Sequence, residues 1–168
     1  MFEYKNAIGQ DSHRFLKKDE WEQKKESVLI LAGCPFPGEL PFSANSDGDV
    51  FLHALTNAIS GITGRNILGG IADVLCLEKG IKDSKVYLQE ALLDLKEWEI
   101  THISFTAEAK KPKLFSHIPS MRESVASILQ IPASAVGITA TSGEGLSDFG
   151  RGLGMMVFCS ITVRRALP

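Results

Sequence analysis

Between residues 100 and 107, apolar Ile103, Phe105 and Ala107 alternate with polar His102, Ser104 and Thr106. That two-residue period predicts a half-buried strand. Compact apolar runs at 28–32 and 136–140, and a nearly continuous one at 155–163, predict three more strands. Residues 3–10 read as a short first strand that ends in the polar stretch 10–13. A helical period appears in 46–61, where Val50, Leu52, Leu55, Ala58 and Ile59 share a face. It recurs in 82–99, through Val86, Leu88, Ala91, Leu92, Leu95 and Trp98, and again over about 120–129. The run 28–32 is expected to pair with the first strand, after which the glycines and prolines of 33–38 force turns. Residues 14–27 carry charges of both signs and read as an exposed connection. The glycine-rich stretches 61–73 and 143–154 read as loops, either ligand-facing or simple connections.

Two strands, two helices, a strand, a helix and two strands lack a strict βαβα rhythm. The order implies an α/β (α+β) sandwich of ferredoxin-like type, with helices on one face of a mixed sheet. The last strand has little polar alternation. Either both sheet faces are covered, or the second packs on another subunit. No linker or repeat interrupts residues 1–168, which read as one domain.

Composition narrows the function classes. The chain is 44% hydrophobic and 23% charged, with a net charge of −2, and nothing in that balance points to nucleic acid or a membrane. No apolar run approaches the roughly 18 residues that span a bilayer, and the first residues lack a signal-peptide core, so a cytoplasmic protein is expected. Cys34, Cys76 and Cys159 are odd in number and far apart, which fits reduced thiols.

The stretch 46–61 is where chemistry enters. Ser46, Asp47 and Asp49 offer oxygens to the first turn of a helix that carries His53 in its second turn, outside the apolar face. Asp11 and His13 are two apart, so on an extended strand they share a face. Two imidazoles and a carboxylate suit zinc, and three protein ligands leave a position for water or substrate. A DxH pair alone is weak, because most are a turn aspartate beside an exposed histidine. Thr141, Ser142 and the N–H groups beside them could receive a phosphate after a strand, with Glu144 holding magnesium next to it. Read alone, that segment is as well explained as a polar turn. Lys110, Lys111 and Lys113 could add charge for an anion or simply form a solvated basic turn. His102 and His117 read as surface side chains.

Taken together, GQDSH at 9–13, SDGDVFLHAL at 46–55, PKL at 112–114, HIPSMR at 117–122, ATSGE at 140–144 and FGR at 149–151 resemble one family. It is the 2-C-methyl-D-erythritol 2,4-cyclodiphosphate synthases of the non-mevalonate isoprenoid pathway. The resemblance implies a homotrimer assembled around the other sheet faces, with sites at subunit interfaces. It implies conversion of 4-diphosphocytidyl-2-C-methyl-D-erythritol 2-phosphate into the cyclic diphosphate with release of CMP. By the same resemblance Asp11, His13 and His53 bind one Zn2+ per subunit, and Glu144 holds Mg2+ or Mn2+ on the substrate diphosphate. Asn45 and Ser142 stand at positions of catalytic contact, Asn45 where the family usually has histidine. Ser46, Thr141, Ser142 and Gly143 meet phosphates, Asn66 stands where the sugar alcohol is held, and Asp73, which ends the match to the family's FPD, is a further substrate-binding position. Lys110, Pro112, Lys113 and Leu114 belong to the cytidine pocket, while Phe149 and Arg151 lie near the central channel. Asn66, in place of aspartate, and Gly143, in place of threonine, are further departures from the family pattern. Two other readings use the same residues: another zinc-dependent phosphodiesterase, and a non-catalytic trimeric nucleotide-binding protein.

Overall fold

A computed structural model describes residues 1–23 and 27–167. Strand β1 (Phe2–Arg14) is longer than its apolar content predicts. All thirteen of its residues pair antiparallel with the last strand, β6 (Gly154–Ala166). β6 also pairs antiparallel with β4 (Glu99–Glu108), and β4 pairs parallel with β5 (Val136–Thr141), giving a mixed sheet ordered β1-β6-β4-β5. The near-continuous apolar run of β6 resolves into alternation: Met155, Val157, Cys159, Ile161 and Val163 are fully buried, while Phe158 and Ser160 face outward.

Helix α2 (Val50–Thr63) packs on β1 and β6, α3 (Ser84–Leu92) packs on α2, and α4 (Ile118–Leu129) packs beside β5. Among the described residues the opposite sheet face carries no helix, and it exposes Tyr4, Ile8 and Phe158.

Four sequence expectations change. Residues 28–32 do not pair with the first strand: β2 (Leu29–Leu31) folds back on β3 (Cys34–Phe36) as a separate hairpin. Ala32 and Gly33 both take positive φ, 54° and 75°, the geometry of a two-residue hairpin turn, and the buried Asp49 carboxylate accepts both their N–H groups, at 2.9 and 2.6 Å. Residues 14–27 are not simply exposed. Phe15 and Leu16 are buried and a six-residue helix α1 (Lys18–Gln23) follows, too short to reveal a period; residues 24–26 lie outside the described residues. Helix α2 runs through Gly61 to a left-handed cap at Gly64; residues Ile67–Ile71 make an irregular turn, extended at Leu68 and left-handed at Gly69, and a π-helical turn, Val74–Glu78, follows the expected loop. Helix α3 is half its predicted length, ending before the left-handed Lys96, although Leu95 and Trp98 still pack against the core.

Only Asp49 caps α2, accepting from Phe51 and Leu52 N–H at 3.1 and 3.2 Å. Ser46 and Asp47 shape the turn before it by accepting from Gly48 and Asp49 N–H. Burial pushes the Asp49 carboxyl from 3.8 up to about 6; nearby Asp47 adds to that rise, and the backbone donors of Gly33, Leu52 and Ala32 oppose it.

Candidate metal centre and active site

The helix-facing side of β1 carries Ala7, Gly9, Asp11 and His13 in alternation. At Gly9 the strand touches the backbone of α2: a Cβ there would stand 2.2 Å from the Ala54 carbonyl oxygen and 2.3 Å from the Ala58 nitrogen. This close approach sets Asp11 and His13 beside His53. His53 is buried, contrary to the expectation that it stands outside the packed face; α2 is covered on several sides, so its polar position faces β1 and α3.

Three ligand atoms converge. His53 Nδ1 lies 3.1 Å from Asp11 Oδ2 and 3.2 Å from His13 Nε2, and His13 Nε2 lies 3.1 Å from Asp11 Oδ2. Zinc at about 2.0 Å from each of a tetrahedral set would leave edges of about 3.3 Å, so the spacing and the donor chemistry both fit that ion. Burial opposes the charge on Asp11, but the two imidazoles beside it prevail and bring its carboxyl from 3.8 to about 2. A divalent cation would act in the same direction. The His13 ring is backed by Phe42 at 5.5 Å between centroids, and Phe42 stacks on Phe15 at 5.0 Å.

These ligands open into a cavity of about 880 Å³ that Asn45, Ser46 and Asp73 also line. Asn45 is exposed at the rim, and its carbonyl accepts from Cys76 Sγ at 3.4 Å. A second cavity, of about 590 Å³, collects Lys110, Lys113, Ser142, Glu144 and Arg151. The two cavities share no lining residue. One chain therefore brings the expected site residues together as two separate groups.

Within the second group, Glu144 holds a left-handed backbone at φ 48°, a strained conformation for a side-chain-bearing residue. Gly143 takes φ 66°, a left-handed backbone that favours glycine, and a Cβ there would have to displace the Glu108 carboxylate, whose Oε1 would stand at 2.2 Å. Thr141 Oγ1 accepts from Gly143 N–H at 3.2 Å, so part of its hydroxyl capacity is used within the turn. Arg151 pairs with Asp148 at 2.7 Å. Pro112 and Leu114 are buried, leaving the backbone of that turn with Lys110 and Lys113 as its exposed groups; the Lys111–Pro112 bond is cis. Pro112, Leu114, Thr141 and Gly143 adjoin the second cavity in sequence without lining it; Asn66 and Phe149 also line neither cavity, and Asn66 is exposed.

Ser84 is a residue that the sequence did not single out. Ser84 is fully buried, with Oγ 2.8 Å from His53 Nε2. Its signal in the sequence is faint: a small polar residue beginning the helix that packs on α2.

No helix among the described residues is long and apolar enough to cross a membrane, and the three cysteines are unpaired.

Comparison with known proteins places this geometry in a family. The 2-C-methyl-D-erythritol 2,4-cyclodiphosphate synthase of Chlamydia trachomatis serovar L2b is 48% identical over 161 residues, covering 95% of this chain and 88% of that protein. The synthase of Chlamydia caviae is 51% identical over 161 residues, covering 95% and 89%. Among solved structures, the bifunctional IspDF of Campylobacter jejuni aligns with a TM-score of 0.86 at 27% identity over 99% of this chain, which spans only 43% of that larger protein. A CDP complex of Plasmodium falciparum IspF shares the fold at a TM-score of 0.78 and 21% identity, over 98% of this chain and 97% of the other. The YgbB family profile matches residues 4–164, and with these relatives it shows that the chain belongs to the YgbB family, the 2-C-methyl-D-erythritol 2,4-cyclodiphosphate synthases.

Proposed function

We propose that this protein converts 4-diphosphocytidyl-2-C-methyl-D-erythritol 2-phosphate into 2-C-methyl-D-erythritol 2,4-cyclodiphosphate and CMP. The observation that carries the reading is the convergence of Asp11, His13 and His53 at a cavity mouth, in a chain about half identical to named synthases.

An oxygen of the substrate's own 2-phosphate attacks the β-phosphorus of the diphosphate. A new P–O–P link closes the ring, the bond between the β-phosphorus and the bridging oxygen breaks, and CMP leaves with that electron pair. The nucleophile is already anionic and tethered, so positioning matters more than proton removal. Zinc bound at Asp11, His13 and His53, and magnesium or manganese at Glu144, would polarise phosphoryl oxygens and offset the gathered negative charge. Asn45 donates an amide hydrogen bond to the reacting phosphates, with Ser46 beside it. Ser142 and the Thr141–Gly143 backbone donate on the diphosphate side. Lys110, Lys113 and the turn around Pro112 and Leu114 receive the cytidine monophosphate. Asp73 and Asn66 hold the sugar-alcohol hydroxyls, and Phe149 and Arg151 approach the channel.

The ferredoxin-like subunits assemble as a homotrimer in the cytoplasm. Two features support that assembly: the helix-free sheet face exposes Tyr4, Ile8 and Phe158, and the two cavities are separate within one chain. A neighbouring copy packed on the sheet face would bring one chain's metal cavity to the next chain's phosphate loop.

The test is product analysis with the diphosphocytidyl substrate, zinc and magnesium. CMP and cyclic diphosphate are expected in equal amounts. A linear product, or no turnover, would overturn the assignment.

A further inference from the structure

Ser84 and Asp47 form a hydrogen-bonded chain behind His53, on the side of its ring away from Asp11 and His13. Ser84 Oγ lies 2.8 Å from His53 Nε2 and is also hydrogen-bonded to Asp47 Oδ1. Among the described residues, every other hydrogen bond at the Asp47 carboxylate comes from an N–H group: Ser84 N–H reaches Oδ2 at 3.1 Å, and Asp49 N–H reaches Oδ1 at 3.1 Å. Asp47 is therefore the acceptor of the group. A hydroxyl has one proton to give. With that proton donated to Asp47, Ser84 Oγ can only accept from His53, so Nε2 carries the ring's proton. In a neutral imidazole the other nitrogen, Nδ1, then has a free lone pair. That lone pair faces Asp11 Oδ2 at 3.1 Å and His13 Nε2 at 3.2 Å.

We propose that Ser84, anchored by Asp47, is a positioning residue that fixes His53 in the tautomer able to bind the metal. The inference rests on the metal reading of Asp11, His13 and His53. Left to itself, a neutral His53 beside the Asp11 carboxylate gains most by carrying its proton on Nδ1 and donating it to Asp11. That tautomer occupies the lone pair a cation needs. The charge-assisted chain to Asp47 favours the opposite tautomer before any ion arrives, and it also holds the ring plane. The groups are packed tightly enough to do this. Ser84 has no exposed surface, His53 is buried, and Asp47 N–H is tied to the Lys82 carbonyl at 2.9 Å. The chain also joins the start of α3 to the second turn of α2, so the orientation of one helix against the other sets a metal ligand.

Zinc affinity, measured by chelator competition on the full-length wild type, Ser84→Ala and His53→Ala, tests the proposal. Ser84→Ala is expected to bind zinc about 10- to 100-fold more weakly, and His53→Ala to lose it. If wild type binds zinc and His53→Ala does not, while Ser84→Ala binds as wild type does, the positioning role is overturned and the metal reading stands. If wild type takes up no zinc, the metal reading falls and the role falls with it. Nitrogen-15 NMR of histidine-labelled, metal-free wild type gives a second readout that survives a misfolded variant. At about pH 8.5, above the ordinary imidazole range, His53 is expected to be protonated at Nε2. A proton on Nδ1 instead overturns the proposal.

Discussion

Gly9 and Ala54 touch backbone to backbone: a Cβ on Gly9 would lie 2.2 Å from the Ala54 carbonyl oxygen. Ala54 follows His53, and Asp11 is the next residue after Gly9 on the same strand face. The missing side chain therefore sets the distance between the strand that carries Asp11 and His13 and the helix that carries His53. Gly9→Ala should push β1 from α2, costing about 1–3 kcal/mol in urea unfolding and weakening zinc binding. Unchanged zinc affinity in the folded variant would mean the ligand spacing is set elsewhere.

His53→Ala should abolish zinc binding and turnover. Because His53 is buried against His13 and Ser84, it should also cost about 1–3 kcal/mol of stability. Zinc content by plasma emission spectroscopy checks the assignment, and wild-type stoichiometry in the variant would refute it.

Glu144→Gln keeps the size of the side chain and removes its charge. Zinc content should be unchanged, while turnover falls on the order of 10²-fold and the magnesium requirement rises. Magnesium titration of the rate provides the check; an unaltered titration counts against a role for Glu144 in holding that ion.

The Asp49 carboxyl is held near 6 in the folded protein, against 3.8 in an exposed chain. Between those values the folded state binds a proton that the unfolded state releases. Its contribution to stability is thus fully present below about 3.8 and is lost as pH rises through about 6. The advantage of wild type over Asp49→Asn, measured by urea unfolding in chelator, should be larger at pH 5 than at pH 7.5. The reverse would show that the backbone donors to Asp49 outweigh its burial.

Much of the fold was legible because local pattern and tertiary context agree. The alternation of Ile103, Phe105 and Ala107 became the buried face of β4, and Val50 through Ile59 became the packed body of α2. Failure came where a long-range partner decides. The run at 28–32 could pair with any strand, and it was the buried Asp49 that pinned its turn into a hairpin. At the site, Asp11, His13 and His53 were readable as a candidate ligand set from residue types taken together with the family resemblance, and their ligand atoms lie within 3.2 Å of one another. Ser84 was not, since a serine at a helix start is ordinary until His53 is seen behind it. The resemblance implies sites at subunit interfaces, and a single chain holds the phosphate loop and the cluster of Asp11, His13 and His53 in separate cavities.

Sites shared between copies would make the working unit larger than one chain. If each site takes its metal half from one copy and its phosphate half from the next, an isolated chain carries two half-sites and no catalyst. Dead variants could then repair each other. Chains lacking His53 still offer a sound phosphate loop, and chains lacking Glu144 still offer a sound metal triad. Reassembled in equal amounts, about a quarter of the interfaces would join two sound halves. Activity regained from two inactive preparations would show that the sites are shared between chains.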